Sequence, residues 1–243
     1  MMKEQFARTQ LLFGSDAMER LAQSSVAVFG IGGVGGHAVE VLARSGVGAI
    51  TLIDSDRVSL TNVNRQIIAL LSTVGEYKVD VAERRIHDIN PDCLVTVYRQ
   101  FYLPENADTV DLTAFDYVLD CIDTVKAKLE LIRRCHALAV PVISSMGAAN
   151  KLDPTAFRVA DLEDTSVDPL ARILRKKLRK EGINHLKVVY SEELPTEPAG
   201  QTAEELPEGR HTIPASNAFV PAAAGLIMGG EVVKSLVFSK NEE

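Results

Sequence analysis

The 243-residue sequence has no tryptophan, and aromatic residues make up only 5% of it. This scarcity argues against a nucleic-acid-binding surface built from stacked aromatic side chains. The sequence also has no excess of basic residues, because 26 Lys and Arg stand against 33 Asp and Glu and give a net charge of −7. A generally basic nucleic-acid-binding protein is therefore excluded, although a local basic patch is not.

Cysteine is also scarce, and its spacing excludes one kind of metal site. None of Cys93, Cys121 and Cys135 belongs to a C-x-x-C pair, so a four-cysteine site is excluded and we expect no zinc. The low, odd count, with no secretory signal, predicts a reducing, cytoplasmic location. Residues 212–230 carry no charge, but their prolines and many small residues indicate a helix packed inside the protein rather than a membrane span.

In the first half of the chain, short apolar runs alternate with stretches of helical periodicity. Strands are predicted at residues 25–29, 49–53, 94–98, 117–122 and 140–144. Helices are predicted between them, at residues 34–43, 76–89 and after Thr124. Strands that alternate with helices imply parallel pairing with right-handed crossovers, so the predicted fold class is α/β, a Rossmann-like, doubly wound and mainly parallel sheet.

The second half is less regular and is expected to form an irregular C-terminal extension. Strands are predicted at residues 156–160 and 186–190, and helices at 169–181 and 217–238. Residues 192–214 are rich in proline and glutamate and contain no lysine. A segment of this composition buries little apolar surface, so it is predicted to be a mobile loop.

A glycine-rich motif follows the first predicted strand. Gly30, Gly32 and Gly35 form a G-x-G-x-x-G pattern, with Gly33 inside it, at a strand-to-helix turn. Glycines at these positions allow a tight turn, a close approach of phosphate to the backbone and close packing of helix on strand. The start of the next helix offers unpaired N–H groups to an anion. The motif predicts a nucleotide-binding loop, and a glycine-rich turn without a ligand is the alternative.

Polar residues beyond the second strand help to decide which nucleotide is bound. Asp54 ends that strand, where a carboxylate can accept hydrogen bonds from ribose hydroxyls, and Asp56 and Asn62 lie in the polar segment that follows. A dinucleotide needs little beyond the helix N-terminus, whereas a triphosphate needs cations to neutralise the leaving pyrophosphate. Arg65 and Lys78 are such cations, so the sequence favours ATP over the alternative of an NAD dehydrogenase.

Asp123 follows the fourth predicted strand. Ligands in open α/β sheets bind at the carboxyl ends of the strands, and Mg²⁺ prefers carboxylate and phosphate oxygens. Asp123 is therefore predicted to hold Mg²⁺, and the alternative is that it only caps the next helix.

Together these motifs resemble the adenylating enzymes related to ubiquitin-activating enzyme, which include the molybdopterin-synthase and thiazole-pathway adenylyltransferases. The resemblance is carried by the segment around Arg8, the glycine motif, Asp54-x-Asp56, Asn62-x-x-Arg65-Gln66, Lys78, Ile89-Asn90-Pro91 and Asp123. It implies one adenylating domain over residues 1–243, with a nucleotide-binding core at 20–145 and a substrate-side extension at 146–243. The residues that it implies for ATP are Gly30, Gly32, Gly33, Gly35, Asp54, Asp56, Asn62, Arg65 and Lys78, with Asp123 for magnesium.

The same resemblance implies a homodimer. Arg8 would reach the phosphates bound by the other subunit and would act there with Arg65, Lys78 and Asp123 as the catalytic set. Two features of many relatives are missing, namely paired C-x-x-C zinc ligands and a cysteine beyond the fifth strand. A thioester or persulfide step needs a thiolate nucleophile, so activation of a ubiquitin-like protein is disfavoured.

Motifs in the second half resemble one subgroup instead, the tRNA threonylcarbamoyladenosine dehydratases. The matching stretches are Gly147-Ala148-Ala149, Asp153-Pro154-Thr155, Ala160-Asp161-Leu162 and Asp168-Pro169-Leu170-Ala171. The subgroup uses ATP to cyclise the threonylcarbamoyl side chain on the adenosine beside the tRNA anticodon. The resemblance implies a carboxyl adenylate that closes on itself, which requires no protein nucleophile.

The resemblance also suggests features to which the sequence assigns no residues. Enzymes of this type can carry a bound Na⁺ or K⁺, and a partner protein that supplies sulfur is compatible with the resemblance, but the sequence assigns residues to neither. One rival function is adenylation of the C-terminus of a ubiquitin-like sulfur-carrier protein. Another is a non-catalytic scaffold that binds a nucleotide.

A cluster of cations independently favours a tRNA substrate. The predicted helix at residues 169–181 places Leu170, Ile173, Leu174 and Leu178 on one side, which is expected to be buried. The other side is cationic and is predicted to contact nucleic acid; its residues are Arg172, Arg175, Lys176, Lys177, Arg179 and Lys180. The alternative is a solvated helix face, and phosphate contacts would make binding strongly salt-dependent.

Overall fold

The computed structural model describes residues 4–200 and 214–238. Its helices are α1 (Ala7–Phe13), α2 (Ser15–Gln23), α3 (Gly35–Ser45), α4 (Lys78–Ile89), α5 (Val125–Ala137), α6 (Pro169–Arg179) and α7 (Val220–Phe238). Its strands are β1 (Ser25–Phe29), β2 (Ala49–Ile53), β3 (Leu94–Tyr98), β4 (Tyr117–Asp120), β5 (Val142–Ser145), β6 (Phe157–Asp161) and β7 (Lys187–Ser191). Short 3-10 helices lie in several connections.

The described strands form one sheet in the order β3-β2-β1-β4-β5-β7-β6. All neighbours pair in parallel except β6, which runs antiparallel to β7 at the edge. The chain moves outward from β1 to β3 and then returns to place β4 on the other side of β1. The strand order therefore reverses at β1, which is where open α/β sheets bind their ligands.

The predicted Rossmann-like, mainly parallel α/β fold is confirmed, with the first three strands at the predicted residues. The prediction did not include α1 and α2. Helix α1 buries no residue, whereas α2 is amphipathic, with Ala17 and Leu21 buried, and its apolar stripe was missed. The fourth strand ends at Asp120 rather than at Ile122, whose N–H is bound by the Asp120 carboxylate. Of the predicted mobile loop, residues 201–213 lie outside the described part of the chain.

Among the described residues, α7 is the one helix that is long and apolar enough to cross a membrane by length and composition. It packs against α2 and α3, and Ala224, Met228 and Val232 are fully buried there. Small residues allow this contact, since a Cβ at Gly229 would lie 2.6 Å from Cβ of Val41 on α3. The apolar composition of α7 is therefore used for packing against the helix that follows the glycine loop.

Two glycines of α7 give a matched test of this packing. A Cβ at Gly225 would lie 2.2 Å from the Val34 carbonyl oxygen, whereas a Cβ at Gly230 would meet nothing within 4 Å. We expect Gly225→Ala to lower the free energy of unfolding by about 2–3 kcal/mol, because backbone must move to admit the methyl group. Gly230→Ala should raise it by about 0.5–1 kcal/mol, since alanine favours helix. Urea unfolding measures both, and equal stability of the two variants would contradict the close approach.

Candidate active site

A cleft of about 890 Å³ lies at the carboxyl end of the parallel strands. Strand β1 ends level with both neighbours, because Phe29 pairs with Ile53 of β2 and with Asp120 of β4. The segments that follow these strands therefore face one another across the point where the strand order reverses. Together with the loops after β3 and β5, they line the cleft.

One wall of the cleft is the glycine loop between β1 and α3. Gly30 has a φ of 88°, and a Cβ there would lie 2.7 Å from the carbonyl oxygen of Cys121. A Cβ at Gly35 would lie 1.8 Å from the carbonyl oxygen of Gly30. Glycine at both positions lets the chain turn sharply and enter α3 at once. Gly30, Gly32 and Gly33 line the cleft, whereas Gly35 is buried at the start of α3.

Asp54 joins the glycine loop to the segment after β2. One carboxylate oxygen accepts a hydrogen bond from the Ile31 N–H at 2.6 Å, and the other accepts one from the Asp56 N–H at 2.8 Å. Burial raises the pKa of Asp54, and the nearby Lys78 ammonium opposes that rise. Asp54 also lines the cleft, where an acceptor of this kind can bind a sugar hydroxyl.

The structure brings Arg65 and Lys78 to the same cleft. Lys78 is the first residue of α4 and only 5% exposed, and its Nζ lies 2.7 Å from the Asp56 carboxylate. Arg65 donates to the Thr61 carbonyl at 2.8 Å and to the Asn64 side chain at 2.9 Å. Both cations are thus fixed by neighbours and are not freely solvated charges, although their role in ATP binding stays a prediction.

Asn62 and Gln66 complete this wall. Asn62 is buried, and its Oδ1 accepts a hydrogen bond from the Ser59 N–H at 3.1 Å. Gln66 lines the cleft and is 7% exposed, and its Oε1 has no hydrogen-bond partner within the described residues. A buried amide oxygen without a partner is costly unless a ligand supplies a donor. The sequence reasoning did not select Gln66 for the site, although it directly follows Arg65 in the motif.

Asp123 lies on the β4 side of the cleft and is exposed. Its carboxylate accepts a hydrogen bond from the Thr124 hydroxyl at 3.2 Å. Thr124, rather than Asp123, occupies the N-cap position of α5, so the alternative of Asp123 as a helix cap is wrong. Within residues 4–200 and 214–238 there is no cluster of three or more His, Cys, Asp or Glu that could hold a metal ion. A single carboxylate suits Mg²⁺ when phosphates and water supply the other ligands.

A buried ion pair lies directly behind Asp123. Lys128 of α5 and Asp120 of β4 both have fully buried side chains, with Nζ 2.9 Å from Oδ2. The Ser144 hydroxyl donates to the same Oδ2 at 2.6 Å, and the other oxygen of Asp120 accepts from the Ile122 N–H at 3.2 Å. The network connects β4, β5 and α5 and fixes the turn that presents Asp123. Sequence reasoning missed Lys128 because lysine on a helix usually marks the solvated face.

Cys121 also lines the cleft, and the structure argues against its use as a nucleophile. Burial raises the pKa of its thiol to about 12, and the neighbouring Asp120 carboxylate adds to the effect. Its Sγ lies 3.9 Å from the Met228 sulfur of α7. A thiol with so high a pKa carries almost no thiolate at neutral pH. Cys121 therefore serves as packing.

The opposite wall is formed by the β5 loop, which we define as residues 146–149. Gly147, Ala148 and Ala149 line the cleft, and the Met146 N–H donates to the Val189 carbonyl at 2.8 Å. The loop is thus anchored to β7 at its start.

Asn150 anchors the end of the β5 loop. It has a φ of 59°, and its carbonyl accepts hydrogen bonds from the N–H and the hydroxyl of Thr196. Its N–H donates to the Ala215 carbonyl, and its side-chain oxygen accepts a hydrogen bond from the Ala215 N–H. Pro214 and Ser216, on either side of Ala215, line the cleft. One residue therefore holds together three chain segments at the cleft edge.

Helix α6 begins at the edge of the cleft, where Leu170 of its first turn is a lining residue. Further along, its cations line a second cavity of about 370 Å³; they are Arg172, Arg175, Lys176, Arg179 and Lys180. Lys177 is also exposed on this helix. The same element therefore links the cleft to a cationic surface.

Two details of α6 differ from the prediction. Arg175 is half-buried and donates to the Leu162 and Thr165 carbonyls and to the Thr165 hydroxyl, so it fixes the preceding loop. Arg179 is paired with Glu163. Ile173, predicted to be buried, is 43% exposed, because the packed face follows Ala171, Leu174 and Leu178.

Arg8 lies on α1, is exposed and is not a lining residue of the cleft within this chain. Its predicted role at a phosphate site therefore depends on a second copy. The exposed position leaves the side chain accessible for such a contact.

The fold and the cleft define a Rossmann-like α/β protein whose ligand site lies where the strand order reverses. The chain belongs to the ThiF family, whose model matches residues 6–243. It is 49% identical over 243 residues to the tRNA threonylcarbamoyladenosine dehydratase of Bacillus subtilis (strain 168), covering 97% of this chain and 96% of that protein.

A solved structure and a second relative extend the comparison. The crystal structure of the E. coli tRNA N6-threonylcarbamoyladenosine dehydratase in complex with ATP matches with a TM-score of 0.88 at 36% identity, covering 97% of this chain and 95% of that one. The molybdopterin-synthase adenylyltransferase of E. coli (strain K12) is 40% identical over 159 residues, covering 62% of this chain and 60% of that protein. The resemblance inferred from the motifs is confirmed, and similarity to the dehydratases covers more of the chain.

Two lysines of α5, Lys126 and Lys128, give a matched test of the buried ion pair. We expect Lys128→Met to lower the free energy of unfolding by about 3–5 kcal/mol, because it leaves the Asp120 carboxylate buried without its counter-charge. Lys126→Met removes a lysine from an exposed pair with Glu105 and should cost less than about 1 kcal/mol. Denaturant unfolding at pH 7 gives both values. A Lys128→Met variant as stable as Lys126→Met would refute the importance of the pair.

Proposed function

We propose that this chain is an ATP-dependent tRNA-modifying enzyme that dehydrates threonylcarbamoyladenosine in tRNA through a carboxyl adenylate. The observation that carries the proposal is the composition of one cleft. A glycine loop with converging cations and carboxylates forms one side, and the other side leads to the basic helix α6. The similarity to dehydratases over almost the whole chain supports the choice of substrate.

In this proposal ATP occupies the side of the cleft formed by the glycine loop. The N–H groups at the start of α3 receive phosphate, and Asp54 accepts a ribose hydroxyl. Arg65 and Lys78 stabilise the negative charge of the phosphates, and Asp56 holds the Lys78 ammonium at the cleft. Asn62 and Gln66 supply further polar contacts on the same wall. The ATP-bound structure of the E. coli relative supports this assignment.

Asp123 fits a magnesium ion that accompanies ATP. Its carboxylate lines the cleft, while Asp120 and Lys128 behind it neutralise each other. When bound, Mg²⁺ supplies charge neutralisation for the leaving pyrophosphate. The role of Asp123 is to present one carboxylate oxygen, and the buried network holds the turn on which it stands.

The proposed chemistry is a dehydration in two steps. A carboxylate oxygen of the threonyl group attacks the α-phosphorus of ATP, and the bond to pyrophosphate breaks. The carbamoyl group of the same side chain then attacks the activated carbonyl, a proton is lost, and AMP leaves with the original carboxylate oxygen. Ring closure is intramolecular, where effective molarities of about 10⁵ M or more are known. The high pKa of Cys121 agrees with a route that needs no protein nucleophile.

The tRNA is proposed to lie along α6. Leu170 in its first turn reaches the cleft, and the exposed cations Arg172, Lys176 and Lys180 lie further along the helix. From Leu170 to Arg179 the helix rises about 14 Å, so a phosphate backbone lying on the cations is within about that distance of the cleft. The modified nucleotide can then enter the cleft while phosphates stay on the helix.

The proposal also includes a homodimer. Leu11 and Leu12 on α1 are 87% and 76% exposed, beside Arg8, and an exposed apolar pair of this kind favours burial against a second copy. In that arrangement Arg8 contacts the phosphates bound by the partner.

Residues 20–145 form the nucleotide-binding core and residues 146–243 the substrate side of a single adenylating domain. A cytoplasmic location would give the enzyme access to tRNA.

A nucleoside assay tests the proposed function. With ATP and threonylcarbamoylated tRNA, wild type should produce a nucleoside lighter by one water, together with AMP and pyrophosphate. Lys78→Met and Arg65→Ala should raise the Kd for ATP about tenfold or more, because each removes a charged contact. Arg84→Ala on α4, whose partner is Glu76, is the control and should bind ATP normally. Equal AMP release with unmodified tRNA, or exchange driven only by a carrier protein ending in Gly-Gly, would overturn the proposal.

The basic face of α6 makes a separate prediction. We expect the double substitution Lys176→Ala and Lys180→Ala to weaken tRNA binding and to reduce the slope of log K against log salt by about 1.5, since two phosphate contacts are lost. The Kd for ATP should stay unchanged. Lys234→Ala on α7 removes an exposed cation away from this face and is the control. An unchanged salt slope in the double variant would show that α6 does not bind the tRNA backbone.

A further inference from the structure

A second buried ion pair connects the cleft to α6. Asp168 is the N-cap residue of α6, and its Oδ1 accepts a hydrogen bond from the Ala171 N–H at 2.9 Å. Its Oδ2 accepts one from the Gly147 N–H of the β5 loop at 3.2 Å. One carboxylate therefore bridges the first turn of the basic helix and the wall of the cleft. Both oxygens are used, and the side chain is fully buried.

Lys151 holds this carboxylate from the other side. Its Nζ lies 3.7 Å from the Asp168 Oδ2 and donates to the carbonyls of Ser191 and Glu193 at 3.4 and 3.1 Å. Lys151 is only 3% exposed. The ammonium is thus fixed by Ser191 at the end of β7 and by Glu193 after it, and it places a positive charge beside the buried carboxylate.

The local backbone is shaped to place Asp168. Val167, immediately before it, has a φ of 48°, which is rare for a β-branched residue and costs free energy. Gly147 lets the carboxylate approach, because a Cβ there would lie 3.3 Å from Oδ2. A serine or an asparagine could make the helix cap alone, whereas the second carboxylate oxygen of Asp168 also binds the β5 loop.

We propose that Asp168 is a positioning residue that fixes the β5 loop relative to α6. It thereby aligns the threonylcarbamoyl group, which this wall receives, with the tRNA bound on α6. This inference rests on the proposed function. In it Asp168 touches neither substrate nor ATP and acts through the Gly147 N–H. A tRNA held on α6 then meets a cleft wall whose distance from the helix is fixed by one carboxylate.

The substitution Asp168→Asn separates the bridge from the cap. Asparagine is nearly isosteric and remains a good N-cap through its one oxygen, but its amide nitrogen cannot accept the Gly147 N–H. In the full chain, we expect amide hydrogen exchange in residues 146–149 to become about tenfold faster. With saturating modified tRNA, kcat should fall about tenfold or more, because the reacting groups are misplaced. The Kd for ATP and the KM for tRNA should stay within about twofold of wild type, because the bridge contacts neither ligand directly.

Asp153→Asn is the matched control. Asp153 caps the short helix Pro154–Ala156 by accepting from the Thr155 N–H, and it is exposed. It should change neither exchange in residues 146–149 nor kcat. If Asp168→Asn does not fold, Gly147→Ala tests the same bridge from the loop side, and it should accelerate exchange there in the same way.

The outcomes are distinct. Unchanged exchange at residues 146–149, or a loss of ATP affinity as large as the loss of kcat, would overturn the positioning role. If wild type itself forms no dehydrated nucleoside, the proposed function fails, but the exchange experiment still decides whether Asp168 holds the β5 loop. Faster exchange confined to the loop, with a selective fall in kcat, supports the inference.

Discussion

Three adjacent strands end at the same height in the sheet, and the site depends on this constraint. Phe29 of β1 is in register with Ile53 and with Asp120, so the chain leaves all three strands at one height. Gly30 then passes so close to the Cys121 carbonyl that no side chain fits between them. Because of this contact, the glycine loop, Asp54 and the turn that carries Asp123 surround one space. A shift of one residue in any of these strands would turn every cleft residue on it to the other face of the sheet.

Two buried ion pairs, Asp120–Lys128 and Asp168–Lys151, occupy comparable places in the fold. Each carboxylate accepts a backbone N–H from a segment that lines the cleft. Lys128 comes from α5, and Lys151 comes from the loop after β5. Buried charges are expensive to desolvate, and apolar side chains of the same volume would often give a more stable core. A carboxylate, however, offers several acceptors at one point and can fix loops that have no regular structure. The two pairs hold the turn after β4 and the loop after β5, which follow neighbouring strands of the sheet.

The sequence predicted most of the fold, because its strands are continuous apolar runs and its glycine motif has an unambiguous physical purpose. It also selected Arg65 and Lys78, since cations behind a glycine loop suggest phosphate. It could not reveal Lys128 and Lys151, because a buried lysine looks in sequence like a surface one until its partner is known. Nor could it reveal the hydrogen bonds of Arg175, since the carbonyls that it binds come from a loop ten or more residues away. Helix α1 was not predicted because none of its residues is buried within the chain.

Asn150 has a consequence for how sequences of this family can diverge. It binds Thr196 on one side and Ala215 on the other, so the stretch between them starts and finishes at a single point. The entropy of closing a chain segment grows only with the logarithm of its length, and doubling the length costs about 0.6 kcal/mol. Insertions or deletions between the two anchors are therefore expected to leave the geometry of the cleft unchanged.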